Sequence, residues 1–162
     1  LVMSDHVAVM NAGRFVQLDT PQNLYSDPRT PFVARFVGET DAWSGRVVRV
    51  DDLLMHVVTD EGLKFLLKRK QILSLGTKVD LFLRPEAMLI QPDQSLSELN
   101  RFEVVVKAIL FDGANSRLLA NLPQSNREIL IALPQNRQYD HIRVADKVEV
   151  GWDFNSGICF QK

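Results

Sequence analysis

The residues in this chain that could do chemistry are few, and their spacing limits what each can do. Arg84, Pro85 and Glu86 end the apolar run that starts at Val79. A guanidinium at the end of a strand can hold an anionic ligand or pair locally with a neighbouring carboxylate. A local Arg84–Glu86 ion pair is the plainer expectation. Asn115, Ser116 and Arg117 set an amide, a hydroxyl and a guanidinium side by side, which is a donor set for an oxyanion and equally an ordinary turn. His6, His56 and His141 are scattered and share no metal-ligand spacing. Cys159 sits between Ile158 and Phe160 with no histidine near it in sequence, so a structural thiol is expected.

The sequence has no Gly-x-x-x-x-Gly-Lys loop, no Cys-x-x-Cys, no nucleophile elbow and no carboxylates paired for acid–base work. No catalytic residue, bound cofactor or metal ligand is therefore expected within this chain.

Composition narrows the classes further. The 162 residues carry a formal net charge of -1, and 46% are hydrophobic, as in an ordinary globular domain. A near-neutral balance gives phosphate backbones no clustered cations to bind, so nucleic acid is not an expected partner. The densest basic run, Lys68-Arg69-Lys70, reads as a solvated turn. One cysteine rules out an internal disulfide and suits a reducing compartment. No apolar run approaches membrane-spanning length and no signal peptide is visible, which points to the cytosol. The chain enters strand-like sequence almost at once, as if cut from something longer.

Several elements must position these residues. Apolar runs at residues 7–10 and 15–18, separated by a turn with Gly13, predict a β-hairpin. Thr20-Pro21 and Thr30-Pro31 each read as an N-cap followed by proline at the first helical position. The first helix must stop before Asp27-Pro28. In the second, Phe32, Val33, Phe36 and Val37 are expected on one face, with Gly38 closing the helix at its C-cap. From residue 42 onward the apolar period becomes two. Strands are predicted at 43–50, 53–59, 63–67, 78–84, 87–90, 102–111, 116–122, 127–133, 147–152 and 157–160. Leu81, Phe82 and Leu83 are apolar in succession, so strand 78–84 should be covered on both sides. After the proline, residues 87–90 should turn a corner and stay in the sheet. Residues 91–101 and 135–144 read as polar connections, and Asp112-Gly113-Ala114-Asn115 as a hairpin turn. Many short strands with little helix predict a mainly β fold, an OB-like barrel preceded by a hairpin and two short helices.

With these residues in view, the chain resembles the C-terminal part of the ATP-binding subunit of an ATP-binding-cassette (ABC) importer, of the type that serves polyamines, iron, sulfate or sugars. Residues 1–39 resemble the end of its nucleotide-binding domain through Ser4-Asp5-His6-Val7-Ala8-Val9-Met10, Gly13-Arg14, Gln17, Thr20-Pro21-Gln22-Asn23-Leu24-Tyr25, Pro28 and Phe32 to Gly38. Residues 40–162 resemble its transport-associated OB (TOBE) regulatory domain through the strand before Arg84-Pro85-Glu86, through Phe111-Asp112-Gly113 and through Asp146 to Trp152. Asp112 stands where that family usually has a small apolar residue.

The resemblance implies that Arg84, Pro85, Glu86, Phe111, Gly113 and Trp152 are structural or interface residues. It implies that a full-length parent uses ATP and Mg²⁺ held by motifs preceding this chain, including a switch histidine that His6 does not replace. It further implies a homodimer that works with permease subunits at the inner membrane and with a solute-binding protein. The stripe Phe32, Val33, Phe36 and Val37 is expected to pack on a core outside this chain, or else to drive self-association. Two other readings are an oxyanion-sensing barrel, since related domains of molybdate systems bind such ions, and an OB module for single-stranded nucleic acid.

Overall fold

The structure, a computed structural model, describes residues 4–112, 115–123 and 125–162. The chain opens with strands β1 (Val7–Asn11) and β2 (Arg14–Asp19), an antiparallel hairpin whose turn puts Gly13 at φ 78°. Helix α1 (Pro21–Ser26) follows, with Thr20 Oγ1 accepting the Asn23 N–H at 3.2 Å. Helix α2 (Pro31–Phe36) repeats the device, Thr30 Oγ1 accepting from Val33 N at 3.2 Å. Both caps satisfy an N–H that a first helical turn leaves without a partner. Val9, Leu24 and Val33 form a small core of their own, with Val7, Val16 and Val37 packed around it.

Phe32, Val33, Phe36 and Val37 do not lie on one face. Val33 is fully buried and Val37 packs beside it, whereas Phe32 and Phe36 stack on each other in solvent, ring centroids 5.8 Å apart. Pairs four residues apart share a face, and the two pairs are offset by about 100° around the helix. Gly38 also departs from expectation. The C-cap is Val37 in right-handed helical conformation, and Gly38 takes no positive φ. Gly38 is needed for closeness instead, since a Cβ there would stand 2.9 Å from Cε2 of Tyr25.

Ten further strands build two five-stranded sheets among the described residues. The first contains β3 (Asp41–Val50), β4 (Leu54–Thr59), β5 (Lys64–Lys68), β6 (Lys78–Leu83) and β12 (Ile158–Gln161), in the order β12-β6-β3-β4-β5. The second contains β7 (Leu89–Ile90), β8 (Leu99–Asp112), β9 (Asn115–Asn121), β10 (Glu128–Leu133) and β11 (Lys147–Asp153), in the order β10-β9-β8-β11-β7. Strand β6 lies between β3 and β12 with Leu81, Phe82 and Leu83 all buried, as its unbroken apolar run requires. After Arg84 a 3₁₀ turn (Pro85–Ala87) carries the chain into β7, which pairs with β11 in the other sheet. The corner at Pro85 is thus a change of sheet, and the strand predicted at 87–90 shrinks to two residues. Strand β8 is longer than predicted because it spans both neighbours, β11 along its first half and β9 along its second.

Alternate residues of both sheets fill one core around Trp43, Phe65 and Trp152. The Phe65 ring meets Trp43 edge-on at 5.5 Å and Trp152 at 5.0 Å, an arrangement aromatic quadrupoles favour. Two side chains close the seams between the sheets. Asn100 on β8 accepts the Leu66 N–H of β5 and donates to the Leu66 carbonyl, both at 2.8 Å. Asp41 on β3 accepts the Leu130 N–H of β10 at 2.9 Å. Each supplies a hydrogen bond that a neighbouring strand would otherwise make. The result is an OB-like barrel with the hairpin and helices leaning on one end.

Candidate functional site

Arg84 organises the junction between the N-terminal hairpin–helix segment and the barrel. It is 6% exposed, and its guanidinium reaches carbonyls at the C-terminal ends of both helices. Nη1 donates to Ala34 O at 2.8 Å and to the carbonyls of Gly38 and Glu39, each at 3.1 Å. Nη2 donates to Tyr25 O at 3.0 Å, and the guanidinium plane lies 4.3 Å from the Tyr25 ring centroid. Helix C-termini present carbonyls without intrahelical partners and carry partial negative charge, so they can hold a cation with no acid present. Only a planar fork reaches several of them together. Burial pulls the Arg84 pKa below its ordinary value, the cost of taking that charge from water.

The expected local ion pair between Arg84 and Glu86 does not form. Glu86 instead accepts the Tyr25 hydroxyl proton, which gives the junction a second tie from the same helix. Pro85 has no N–H to lose, and it opens the 3₁₀ turn in which Ala87 N returns to Arg84 O at 3.0 Å. The three residues of the motif therefore act together: Arg84 holds the helix ends, Pro85 turns the chain and Glu86 receives Tyr25.

Beside this junction lies a cleft of about 780 Å³. Tyr25 and Glu39 face it from the N-terminal segment, Glu86 from the 3₁₀ turn, and Ser116, Arg117 and Tyr139 from the barrel. The donor set expected for an oxyanion, Asn115, Ser116 and Arg117, lines this cleft together, but Ser116 and Arg117 are engaged. Arg117 pairs with Glu39, and the Ser116 hydroxyl accepts a hydrogen bond from Gln135 Nε2 at 3.0 Å. With Glu39 and Glu86 beside one arginine, carboxylates outnumber cations in the cleft. A second cleft of about 560 Å³ shares Ser116, Gln135 and Tyr139 with the first and extends to Phe111, which is 80% exposed at the end of β8.

The remaining sequence-predicted residues are dispersed. Trp152 is wholly buried in the barrel core. Gly113 lies outside the described residues. His56 faces Asp51 at 3.1 Å, and His141 faces Gln91 at 3.0 Å. Burial pushes the Cys159 thiol up to about 12, with Asp80 adding to the effect, so it is a poor nucleophile. Sequence reasoning missed Tyr25, Glu39, Asp41 and Asn100. A polar residue inside or beside an apolar run was the only signal they gave, and their partners lie 34 or more positions away.

Residues 81–160 match the TOBE domain family. Curated relatives are spermidine/putrescine import ATP-binding proteins PotA. That of Thermotoga maritima is 32% identical over 158 residues, which are 93% of this chain and 42% of the relative. That of Oleidesulfovibrio alaskensis is 28% identical over 157 residues, again 93% and 42%. That of Trichodesmium erythraeum is 33% identical over 145 residues, 84% of this chain and 37% of the relative. The match falls on the C-terminal part of these relatives, so the chain spans about two fifths of their length. The fold is also that of the cytoplasmic molybdate-binding protein ModG, with a TM-score of 0.63 over 74% of this chain and 94% of that one, at 16% identity.

Proposed function

We infer, from a chain that carries a TOBE domain over residues 81–160 and is homologous to the C-terminal domains of ABC importer ATP-binding subunits, that it is the regulatory and dimerising end of such a subunit. In this reading residues 1–39 complete the nucleotide-binding domain and residues 40–162 form the regulatory barrel. The full-length parent couples ATP hydrolysis to solute uptake. ATP and Mg²⁺ are held by parts of that parent outside this chain, and the subunit pairs with a second copy and with permease subunits on the cytoplasmic face of the membrane. The names of the relatives favour spermidine and putrescine as the solutes delivered by the binding protein. No helix among the described residues is long and apolar enough to cross a membrane.

The observation that carries this reading is the Arg84 fork. It ties both helix ends of the N-terminal segment to the barrel, so movement in either must be felt by the other. A regulatory domain needs such a connection. The exposed face of the hairpin, with Met10 opposite Phe15 and Leu18 beyond, supplies apolar surface for the rest of the subunit.

Calorimetric titration with Mg-ATP tests it. The chain alone should show no saturable heat and no hydrolysis. Joined to the residues that precede it in its native reading frame, it should hydrolyse ATP and bind permease subunits. Saturable ATP binding by the chain alone would overturn the reading.

An oxyanion-sensing barrel is the second reading, favoured by the fold shared with ModG and by Ser116 and Arg117 in the cleft. The Glu39–Arg117 pair opposes it. A melting temperature unmoved by molybdate, sulfate and phosphate would remove it.

A further inference from the structure

The segment joining the helices to the barrel, residues 37–41, is held at every step. Arg84 takes the carbonyls of Gly38 and Glu39, Arg117 takes the Glu39 carboxylate, and the Thr40 hydroxyl donates to Leu83 O at 3.3 Å. The last contact is the Asp41 carboxyl. Its Oδ1 accepts the Leu130 N–H, while its Oδ2 is buried and meets no hydrogen-bond partner among the described residues. Asp41 itself is 8% exposed.

Among the described residues, the charges that face Asp41 are committed elsewhere. Arg127, the cation that faces Asp41 from the start of β10, lies 5.5 Å over the Trp43 ring and donates to Glu61 at 3.3 Å. Arg35, across the small cleft that reaches Leu130, lies 4.8 Å from the Phe82 ring centroid. Glu39 is a like charge and is paired with Arg117. The strand partner of Asp41 on β6 is Leu83, and its neighbour on β10 is Leu130, both apolar. An ionised carboxylate here would be a buried charge with one amide to answer it, which is unfavourable.

We propose that Asp41 is a proton-operated latch between the linker and β10, closed when the carboxyl is neutral and loosened when it ionises. Ionisation must admit water to the seam to solvate the charge, because Arg127 is held over Trp43 and by Glu61, and the water frees the linker. Since the linker also carries the Arg84 acceptors and the partner of Arg117, the same event slackens the junction between the N-terminal segment and the barrel.

Burial pushes the Asp41 pKa up to about 7, against the opposing effects of the Leu130 N–H and Arg127, so the latch would work near neutrality. The sign follows from the raised value. The native carboxyl holds its proton more tightly than the unfolded chain does. Its contribution to stability is therefore full below about pH 4 and is lost as the pH rises to about 7.

Side-chain carboxyl ¹³C titration of the intact chain, with amide hydrogen exchange at Leu130, tests this without any variant. The Asp41 signal should titrate near neutrality, and Leu130 should lose protection over the same range, beyond the ordinary tenfold acceleration of exchange per pH unit. Asp41→Asn should keep Leu130 protected throughout, and its melting temperature should gain several degrees on the native chain between pH 5 and 8. An Asp41 midpoint near 4, or Leu130 protection with no step, would overturn the proposal whether or not the variant folds.

Discussion

Arg84 engages Tyr25 twice, lying 4.3 Å over its ring and donating to its backbone carbonyl at 3.0 Å. The two residues are 59 positions apart and belong to different parts of the fold. The contact makes the last turn of α1 a seat for the barrel, with the carbonyls after α2 completing it.

Arg84→Ala should therefore separate the two parts without dissolving either. It leaves four carbonyls without their buried donor, at a cost of about 3 kcal/mol. Arg84→Lys keeps the charge but cannot fork, and should recover less than half of that. Limited proteolysis should then cut residues 37–41 in both variants while the barrel resists. Unchanged cleavage in Arg84→Ala would contradict the strut role.

Asn100→Ala removes both hydrogen bonds to Leu66 and reopens the β5–β8 seam. A loss of about 2–3 kcal/mol is expected in chemical denaturation, because a donor and an acceptor are left unmet together. Asn100→Asp keeps the acceptor but turns a buried carboxylate oxygen on the Leu66 carbonyl, so at neutral pH it should cost at least as much as Asn100→Ala.

Gly45 lies in the middle of β3, where an added Cβ would stand 2.5 Å from the Val58 carbonyl oxygen. Backbone cannot yield as a flexible side chain can, so Gly45→Ala should cost about 2–3 kcal/mol through overpacking. A melting temperature equal to that of the native chain would show that the strands separate more easily than the structure implies.

The two faces of α2 should respond oppositely. Val33→Ala opens a cavity in the small N-terminal core and should destabilise that segment by about 1–3 kcal/mol. Phe36→Ser, combined with Phe15→Ser, touches side chains that are 67% and 73% exposed, and should leave stability nearly unchanged. The double variant should instead weaken self-association in light scattering. If the native chain associates and the double variant does so as strongly, these side chains are not the contact surface.

Cys159 should be slow to alkylate. With its pKa near 12 against an ordinary 9, the thiolate fraction at pH 8 falls by roughly a thousandfold. Thiol labelling should be slow in the native chain and complete on unfolding. Fast native labelling would mean that the β12 edge opens readily.

How far the sequence was legible depended on distance along the chain. The N-terminal hairpin, both N-caps and most strand cores were readable, since each rests on residues within a few positions of one another. The face of α2 is ambiguous in sequence because five apolar residues in the six positions 32–37 fit more than one stripe, and only the docked hairpin chooses between them. The corner at Pro85 was foreseen as a turn within one sheet. Its crossing to the other sheet depends on β11, some 60 residues downstream.

The site follows the same division. Arg84-Pro85-Glu86 stood out as a motif, and the Asn115–Arg117 donors were noticed, yet their partners were not deducible. The sequence by itself determined an OB-like β protein with a helical lead-in, because alternation and capping are short-range properties of the chain. Only the tertiary structure decided that Arg84 binds helix ends rather than Glu86, that Glu39 neutralises Arg117, and that Asp41 and Asn100 close the seams. Each of these is a bargain between a buried polar group and whichever distant group the fold brings within about 3 Å, and burial makes that choice obligatory.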